Sequence, residues 1–287
     1  MMRAALLAAL ALTWAQPADA CVRSRTSNGT PLQWWTTCIP FHVHEAGTED
    51  EPFPATLAAV KDSFATWENP ACGGLSLEYQ GLTNDPRAGY QQGGVNINNV
   101  LWRESASQWP HDGDVIAVTT VTFCDKAGGE CPFAGAIIDA DIELNGSGFR
   151  FTTTTLPARV AFDIANTVTH EVGHFLGLDH TPVAAATMFA SAPRGELDKR
   201  SLHPDDIECL CDVYPAGEGT CAAIAVKGDH YVDLENLHNQ ESSVDDGCAA
   251  QPGAPAGRAA LALWLLALIG VGAARRRPVK AGGRSRS

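Results

Sequence analysis

The chain has 287 residues, of which 45% are hydrophobic, and its formal net charge is −13. This length accommodates one domain with a large core, together with appended segments. The last forty residues contain seven Lys and Arg and no Asp or Glu, so the rest of the chain is more acidic than the total suggests. Such a charge argues against binding to nucleic acid or to anionic membranes and favours a soluble protein outside the cell.

The first twenty residues have the pattern of a secretory signal peptide. Arg3 precedes an apolar run over residues 4–14, and Ala18-Asp19-Ala20 offers a cleavage site. We therefore predict a signal peptide at residues 1–20, with a retained N-terminal anchor as the alternative. Because Cys21 follows the site directly, a lipoprotein is a second alternative, although Asp19 fits a lipobox poorly.

Cysteines in an exported protein are expected to form disulfides. We predict that Cys124 bonds to Cys131 and that Cys21 bonds to Cys38. Cys209 and Cys211 are too close together to bond to each other, so one of them is expected to reach Cys221. The other pairings stay open. The nine cysteines of the chain are Cys21, Cys38, Cys72, Cys124, Cys131, Cys209, Cys211, Cys221 and Cys248.

Hydrophobic periodicity predicts alternating strands and helices along the first 215 residues. An amphipathic helix is predicted from Phe53 to Glu68, a long helix from Pro157 through Phe175, and a last helix from Pro204 to Tyr214. Pro157 suits a first helical turn because its missing N–H costs nothing there. Strands are predicted at residues 34–45, 75–79, 95–102, 115–123 and 136–146, the last ending in an Asn-Gly turn.

The composition changes after residue 216. Gly, Ala, Pro and acidic residues increase up to residue 257, which predicts a linker. Residues 259–274 are apolar or small and three arginines follow, which is typical of a short membrane anchor with a cytoplasmic C-terminus, a buried soluble helix being the alternative. The predicted organisation is a signal peptide at 1–20, one domain at 21–216, a linker at 217–257 and an anchor or sorting segment at 258–287.

Residues 170–180 read H-E-x-x-H-x-x-G-x-x-H. On a helix His170 and His174 project from one face, and Gly177 can adopt the left-handed conformation that turns the chain and brings in His180. Three histidine ligands leave one position of a tetrahedral zinc ion open for water, which is typical of a catalytic site. The alternative is an ordinary helix with partly exposed histidines and a C-terminal glycine.

Glu171 stands beside the first ligand without being a ligand itself. A carboxylate in that position is suited to take a proton from a zinc-bound water and to pass it to the leaving amine. The motif therefore predicts a zinc-dependent hydrolase in which Glu171 is the general base.

This motif resembles the metzincin signature. Over residues 35–216 the chain is similar to the matrixin-like peptidases of bacteria, because it also contains matching segments at 139–145, 162–164, 187–188 and 205–215. The resemblance implies an α+β fold, in which a twisted, mostly parallel sheet with one antiparallel edge strand lies over an active-site helix and a C-terminal helix.

The resemblance also assigns roles by position. His170, His174 and His180 correspond to the zinc ligands, and Met188 corresponds to the methionine beneath the metal. Residue 190 is Ala, where some metzincins have a tyrosine ligand. This difference favours a site of three histidines and water.

Other features of the family are absent or faint. No cysteine-switch propeptide is visible, and the histidine-rich loop that binds structural zinc is not matched, residues 111–114 being a faint echo or an exposed turn. Asp139, Asp141 and Glu143 are candidates for binding calcium, with a solvated strand face as the alternative. His42, His44, His203, His230 and His238 are assigned no ligand role.

The C-terminal segment resembles a sorting signal of myxobacterial surface proteins. Gly247-Cys248, a spacer, a short hydrophobic span and an arginine cluster carry this resemblance. It implies processing by a sorting peptidase near Cys248 and attachment at the cell surface. A simple membrane anchor is the alternative.

The predicted function is an exported zinc metalloendopeptidase that acts, as a monomer, on proteins or peptides, with no nucleic-acid partner. Residues 189–197 are expected to line one wall of the pocket for the side chain that follows the cleaved bond. Two alternatives stay open: a zinc amidase acting on cell-wall peptides, and a non-catalytic surface-binding protein on the same scaffold.

Overall fold

The structure, a computed structural model, describes residues 21–92, 94–129, 131–156 and 161–217, and the backbone of residues 241–248. The predicted signal peptide and the hydrophobic segment at 258–287 lie outside the described residues, as do Pro157 and most of the predicted linker. None of the helices in the described part of the chain is both long enough and apolar enough to cross a membrane.

The main sheet has seven strands in the described residues, in the order β3-β2-β4-β6-β5-β9, with β1 beside β6; β7 and β8 form a separate pair. Their bounds are β1 Gln33–Trp34, β2 Cys38–His44, β3 Ser76–Thr83, β4 Asn99–Trp102, β5 Ala117–Cys124, β6 Ala136–Leu144, β7 Phe151–Thr152, β8 Phe162–Asp163 and β9 Glu241–Cys248. The strands β1, β2, β3, β4 and β6 pair in parallel, and β5 is antiparallel to β6. The mostly parallel sheet with an antiparallel strand is confirmed.

The edge of this sheet differs from the expectation. Strand β5 is not the edge strand, because β9 pairs antiparallel with it along its whole length. The composition predicts a linker at 217–257, but residues 241–248 form β9 in the structure, although Ser, Asp and Gly disfavour strands. Pairing with an available neighbouring strand has overridden this weak local propensity.

The described part of the chain contains three α-helices. They are α1 Phe53–Glu68, α2 Ile164–Phe175 and α3 Pro204–Val213. Two of them, α1 and α2, pack against each other and against the sheet. Helix α1 has the predicted bounds, and it contacts α2, which in turn contacts β5 and β6. Phe64 of α1 stacks on Phe41 of β2 and meets Phe175 of α2 edge to face, with ring centroids 3.7 and 5.4 Å apart. Each of these buried rings contributes roughly 1.5–3 kcal/mol, so the joint between α1 and α2 is firm.

Helix α2 begins later than predicted. Residues 162–163 lie in β8, and the helix starts at Ile164, after the extended residue Asp163. The Asp163 carboxylate accepts a hydrogen bond from the backbone N–H of Asn166 at 2.8 Å and forms an ion pair with Arg200. This N-cap fixes the start of the helix. The apolar stripe continued through the preceding strand, so periodicity alone did not separate the two elements.

The disulfides agree with the prediction in one case. Cys124 bonds to Cys131 as expected, but Cys21 bonds to Cys209 and Cys72 to Cys211, while Cys38 is disulfide-bonded elsewhere. The predicted bonds from Cys21 to Cys38 and from Cys209 or Cys211 to Cys221 are therefore wrong.

The N-terminal segment explains the Cys21 result. The backbone N–H of Ser24 donates to the carbonyl of Gly177 at 3.0 Å, and that of Asp179 donates to the carbonyl of Val22. This pairing carries Cys21 toward α3 and away from Cys38, its neighbour in sequence. The Cys21 sulfur, which a lipoprotein would use for lipid attachment, is bonded to Cys209 in the structure.

Candidate metal centre and active site

Three histidine side chains converge at the end of α2. The Nε2 atoms of His170, His174 and His180 lie 3.1–3.2 Å from one another. Zinc–nitrogen bonds of 2.0–2.1 Å in tetrahedral geometry require about 3.3 Å between ligand atoms. Among the residues that the structure describes, this is the one group of at least three ligand side chains close enough to share an ion. The triangle therefore fits zinc.

Backbone carbonyls orient two of the rings. The Nδ1 atom of His170 lies 2.6 Å from the carbonyl oxygen of Thr187, and Nδ1 of His174 lies 2.9 Å from that of Leu178. A carbonyl only accepts, so each Nδ1 carries the proton and each Nε2 presents its lone pair to the common point.

The histidines are held in the neutral form that a metal ligand needs. Burial lowers the pKa of His170 well below its usual value of 6.5, that of His174 to about 4 and that of His180 to about 3. The charged form is disfavoured because the rings lie out of water and close to one another. Zinc binding at neutral pH therefore has little competition from protons.

Gly177 makes the turn between the second and third histidines. Its φ of +84° lies in the left-handed region, and its N–H donates to the carbonyl of His174 at 2.8 Å. A Cβ there would lie 2.9 Å from the carbonyl oxygen of Leu32. Both the backbone conformation and the close approach require glycine, and the turn is what places His180 opposite the helix.

Glu171 is fully buried next to the histidine triangle. The hydroxyl of Thr119 on β5 lies 2.7 Å from its Oε2 atom and 3.1 Å from its backbone carbonyl. Strand β5 thus holds the carboxylate from the sheet side. The sequence did not single out Thr119, because its only local signal is a buried β-branched run.

Met188 packs directly against the helix that carries the ligands. Its side chain is 2% exposed, and a Cβ on Gly173 would lie 2.1 Å from its Sδ atom. Gly173, one of the two unspecified positions within H-E-x-x-H, therefore makes room for the methionine. A glycine in the middle of a helix costs about 1 kcal/mol relative to Ala, and this unfavourable choice was the signal that sequence reasoning missed.

Asp206 in the first turn of α3 fixes the loop that contains Met188. Its buried carboxylate accepts hydrogen bonds from the backbone N–H groups of Thr187 at 2.8 Å, Met188 at 3.0 Å and His203 at 2.8 Å. The carbonyl of the same Thr187 orients His170. A single carboxylate thus connects α3 to a candidate zinc ligand. The sequence placed Asp206 in a matching segment but assigned it no role.

The loop after Met188 is anchored by a buried lysine. The Nζ atom of Lys199 donates to the carbonyls of Phe189 at 2.6 Å and Ser191 at 2.7 Å. The backbone N–H of Lys199 donates to the side chain of Asn166 on α2. The loop predicted to line the substrate pocket is therefore tied to the helix that carries the histidines.

The acidic residues of β6 are buried, which contradicts the solvated strand face that was the alternative to calcium. Asp139 and Asp141 are hydrogen-bonded to each other, and Asp141 accepts from the N–H groups of Gly89 and Asn99 at 2.6 and 2.8 Å. Burial raises the pKa of Asp141 to about 7, against the opposing effect of these two donors. These two carboxyls thus lie together, beside residues 85–91 and 95–97.

Glu143 has a different environment. It forms an ion pair with Arg103, and Nε2 of His111 lies 3.7 Å from its carboxylate. The predicted trio of calcium ligands is therefore divided, with two carboxyls in one place and the third neutralised elsewhere. Within the described chain His111 belongs to no cluster of metal-ligating side chains, so the faint metal motif at 111–114 has no structural support.

The three histidines lie on and just after a helix that packs against a mixed sheet. A glycine turn brings in the third histidine, and a methionine packs below the site. Together these features define the metzincin fold. The family model for matrixin peptidases matches residues 34–215 of the chain. The chain belongs to the matrixin family of zinc metallopeptidases.

The individual relatives match either at low identity or over a short part of the chain. Karilysin from Tannerella forsythia is 23% identical over 190 residues, which cover 63% of this chain and 33% of that protein. Metalloendoproteinase 5-MMP from Arabidopsis thaliana is 34% identical over 85 residues, and metalloendoproteinase 1 from Glycine max is 36% identical over 86 residues. These matches cover 29% and 30% of this chain, and the chain spans only 23% and 25% of the two plant proteins.

Proposed function

We propose that the chain is an exported zinc metalloendopeptidase that hydrolyses peptide bonds within proteins. The observation that carries this proposal is the triangle of neutral imidazoles, with Nε2 atoms 3.1–3.2 Å apart, beside the buried carboxylate of Glu171. Membership of the matrixin family supports the same class of reaction.

In this mechanism His170, His174 and His180 hold the metal through Nε2. Zinc, when bound, supplies a Lewis acid that polarises the peptide carbonyl and lowers the pKa of water toward about 7. Glu171 accepts a proton from the attacking water at its carboxylate and returns it to the nitrogen of the leaving amine. Thr119 keeps that carboxylate in place through its hydrogen bond to Oε2.

The loop at residues 189–197 is proposed to form one wall of the pocket for the side chain after the cleaved bond. It follows Met188 directly, and Lys199 holds two of its carbonyls. A wall that is fixed to α2 keeps the pocket in a constant position relative to the metal ligands. The small and apolar residues of the loop favour a hydrophobic substrate side chain.

Export and surface attachment are also proposals. The disulfides of the described chain support an oxidising location, because such bonds persist mainly outside the cytoplasm. The predicted signal peptide at 1–20 and the sorting or anchor segment at 258–287 suggest a protein held at the cell surface. We take the chain to be a monomer.

Calcium binding stays a prediction, and we propose that it involves two of the three acidic residues of β6. Asp139 and Asp141 share a hydrogen bond and lie against the loop containing Asp85. Glu143 is excluded from this pair by its contacts with Arg103 and His111. A calcium site would thus use the two aspartates together with oxygen atoms of the loop.

The test is digestion of a peptide library by the zinc-loaded chain, with cleavage products read by mass spectrometry. We expect cleavage that needs zinc and that is lost in Glu171→Ala. The proposal is overturned if the chain cuts no protein or peptide, either as the wild type or with strand β9 disrupted by substitution. Cleavage confined to cell-wall peptides favours the amidase. Undiminished activity of Glu171→Ala shows that the assigned base is wrong.

A further inference from the structure

Strand β5 runs past the catalytic centre and has two neighbours. Its Thr119 side chain contacts Glu171, so the strand lies beside the proposed base. Strand β6 pairs with one edge of β5, and β9 pairs with the other from Ala117 opposite Cys248 to Cys124 opposite Glu241. Without β9, β5 would present an unpaired edge next to the metal centre.

An unpaired edge of this kind binds extended peptides. Its row of N–H and C=O groups adds a further strand through main-chain hydrogen bonds, largely independent of sequence. A peptidase must hold its substrate extended across the metal, and β5 is the strand beside Glu171. The β5 edge is therefore the surface on which we expect the substrate backbone to pair.

In the structure this surface is occupied by the chain itself. Asp246 of β9 lies directly opposite Thr119, the residue that contacts the proposed base. Cα atoms of β9 also lie within 8 Å of Cα atoms of α2, the helix that carries His170 and His174. The segment thus passes along the catalytic centre and does not merely cover a remote part of the sheet.

We propose that residues 241–248 form an autoinhibitory strand, which occupies the β5 edge and must leave it before a protein substrate can pair there. This inference rests on the proposed peptidase function. It supplies a restraint on activity from within the chain itself. The strand lies on the C-terminal side of the domain, just before the segment predicted to be an anchor or sorting signal.

The composition of β9 suits a reversible restraint. Residues 241–248 read ESSVDDGC, in which Val244 is the one β-branched apolar residue. Ser, Asp and Gly are poor strand formers, so the segment depends on its main-chain ladder. The gain from that ladder is comparable with the entropy lost in ordering eight residues. A substrate that forms the same ladder can therefore replace it.

The test uses the full-length chain and a β9 variant, Ser243→Pro/Val244→Pro/Asp245→Pro/Asp246→Pro. Four successive prolines remove the N–H donors of the middle of β9 and prevent pairing. Ala249→Pro/Ala250→Pro, just beyond the strand, is the matched control. The first readout is hydrogen exchange of the β5 amides at 117–124 that point toward β9, which alternate along the strand with those that pair with β6. We expect protection in the wild type and the control and faster exchange in the β9 variant.

The second readout is cleavage of a long peptide substrate. If β9 leaves the edge in about one chain in ten, the β9 variant should have a KM about tenfold lower than the wild type, with kcat unchanged. A synthetic peptide of residues 241–248 should inhibit this variant competitively, and the same peptide with the four prolines should not.

The outcomes separate the two proposals. Rapid exchange in the wild type of the β5 amides that point toward β9 overturns the inhibitory strand, whatever the activity. Equal KM values for the wild type and the β9 variant also overturn it, while leaving the peptidase proposal intact. If neither chain cleaves any substrate although both bind zinc, the peptidase function fails, and the inhibitory role fails with it.

Discussion

Two clusters of potential metal ligands lie on neighbouring elements of this chain, and they differ in how their polar atoms are used. In the histidine cluster of α2 the Nε2 atoms point at one another across 3.1–3.2 Å, while backbone carbonyls bind Nδ1 of His170 and His174. The acidic row of β6 consists of Asp139, Asp141 and Glu143. There the carboxylates are bound by Arg103, His111 and backbone N–H groups.

Geometry explains this difference. Residues four apart on a helix lie on one face about 6 Å apart, and a glycine turn then adds the third ligand. Alternate residues on a strand share a face but advance about 3.3 Å per residue, which puts Asp139 about 13 Å from Glu143. Three side chains so spaced do not surround one ion. Ligand spacing along a helix or strand therefore suggests a metal site. The other contacts of each ligand atom decide whether the side chains can share an ion.

The largest expected effect is the pH dependence of the metal-free chain. The folded histidines stay neutral down to a pH of about 4 for His174 and about 3 for His180, whereas an unfolded histidine protonates near 6.5. Below pH 6.5 the unfolded state therefore binds more protons, and each histidine lowers the free energy of unfolding by about 1.4 kcal/mol per pH unit. Urea unfolding at pH 7 and pH 5 measures this loss.

His180→Gln is the control for this effect. It removes one of the titrating groups, so its pH dependence should be shallower than that of the wild type. If the two slopes are equal, proton exclusion from the histidine cluster is not the cause.

Next in size is stabilisation by zinc. At a free zinc concentration about a thousand times Kd, binding to the folded state adds about 4 kcal/mol to the free energy of unfolding. Chelation should remove this increment from the wild type. Glu171→Gln should keep it, because Glu171 is not a ligand, and His174→Ala should lack it. Retention of the full increment by His174→Ala would remove His174 from the metal site.

A smaller effect is expected at Asp206, which acts through the Met188 loop. Asp206→Asn has one acceptor oxygen in place of two, so it cannot accept from both Thr187 and Met188. The Thr187 carbonyl then orients His170 less well, and zinc affinity should fall about 10- to 100-fold. Zinc titration with a competing chelator measures it. Asp205→Asn removes the same charge from the same helical turn, and an equal loss there would point to a charge effect.

The smallest effect concerns calcium and the two halves of the acidic row. A site with Kd of about 10⁻³ M would add about 0.6 kcal/mol to the free energy of unfolding at about 2 mM calcium. We expect Asp141→Asn to abolish this increment and Glu143→Gln to retain it. Calcium-dependent shifts of thermal unfolding distinguish the two variants. An increment that survives in Asp141→Asn contradicts the site.

Local patterns predicted much of the fold. Helix α1 has the predicted bounds because its apolar spacing ends at Asn69-Pro70, where proline disfavours helix in the residue before it. The disulfide from Cys124 to Cys131 was predictable because a short loop brings the two cysteines together. Three features were not predictable from local patterns, because each depends on partners distant in sequence. They are the start of α2 at Ile164, the bond from Cys21 to Cys209 and strand β9.

The sequence by itself determined the identity of the site, since H-E-x-x-H-x-x-G-x-x-H contains its own helix spacing and turn. Tertiary structure alone decided what surrounds it. Thr119 reaches Glu171 because β5 packs against α2, and Asp206 reaches the Met188 loop from the first turn of α3. Only the assembled sheet shows that β9 covers the β5 edge. Short-range periodicity encodes ligand spacing, whereas support and access depend on contacts that form when distant segments pack together.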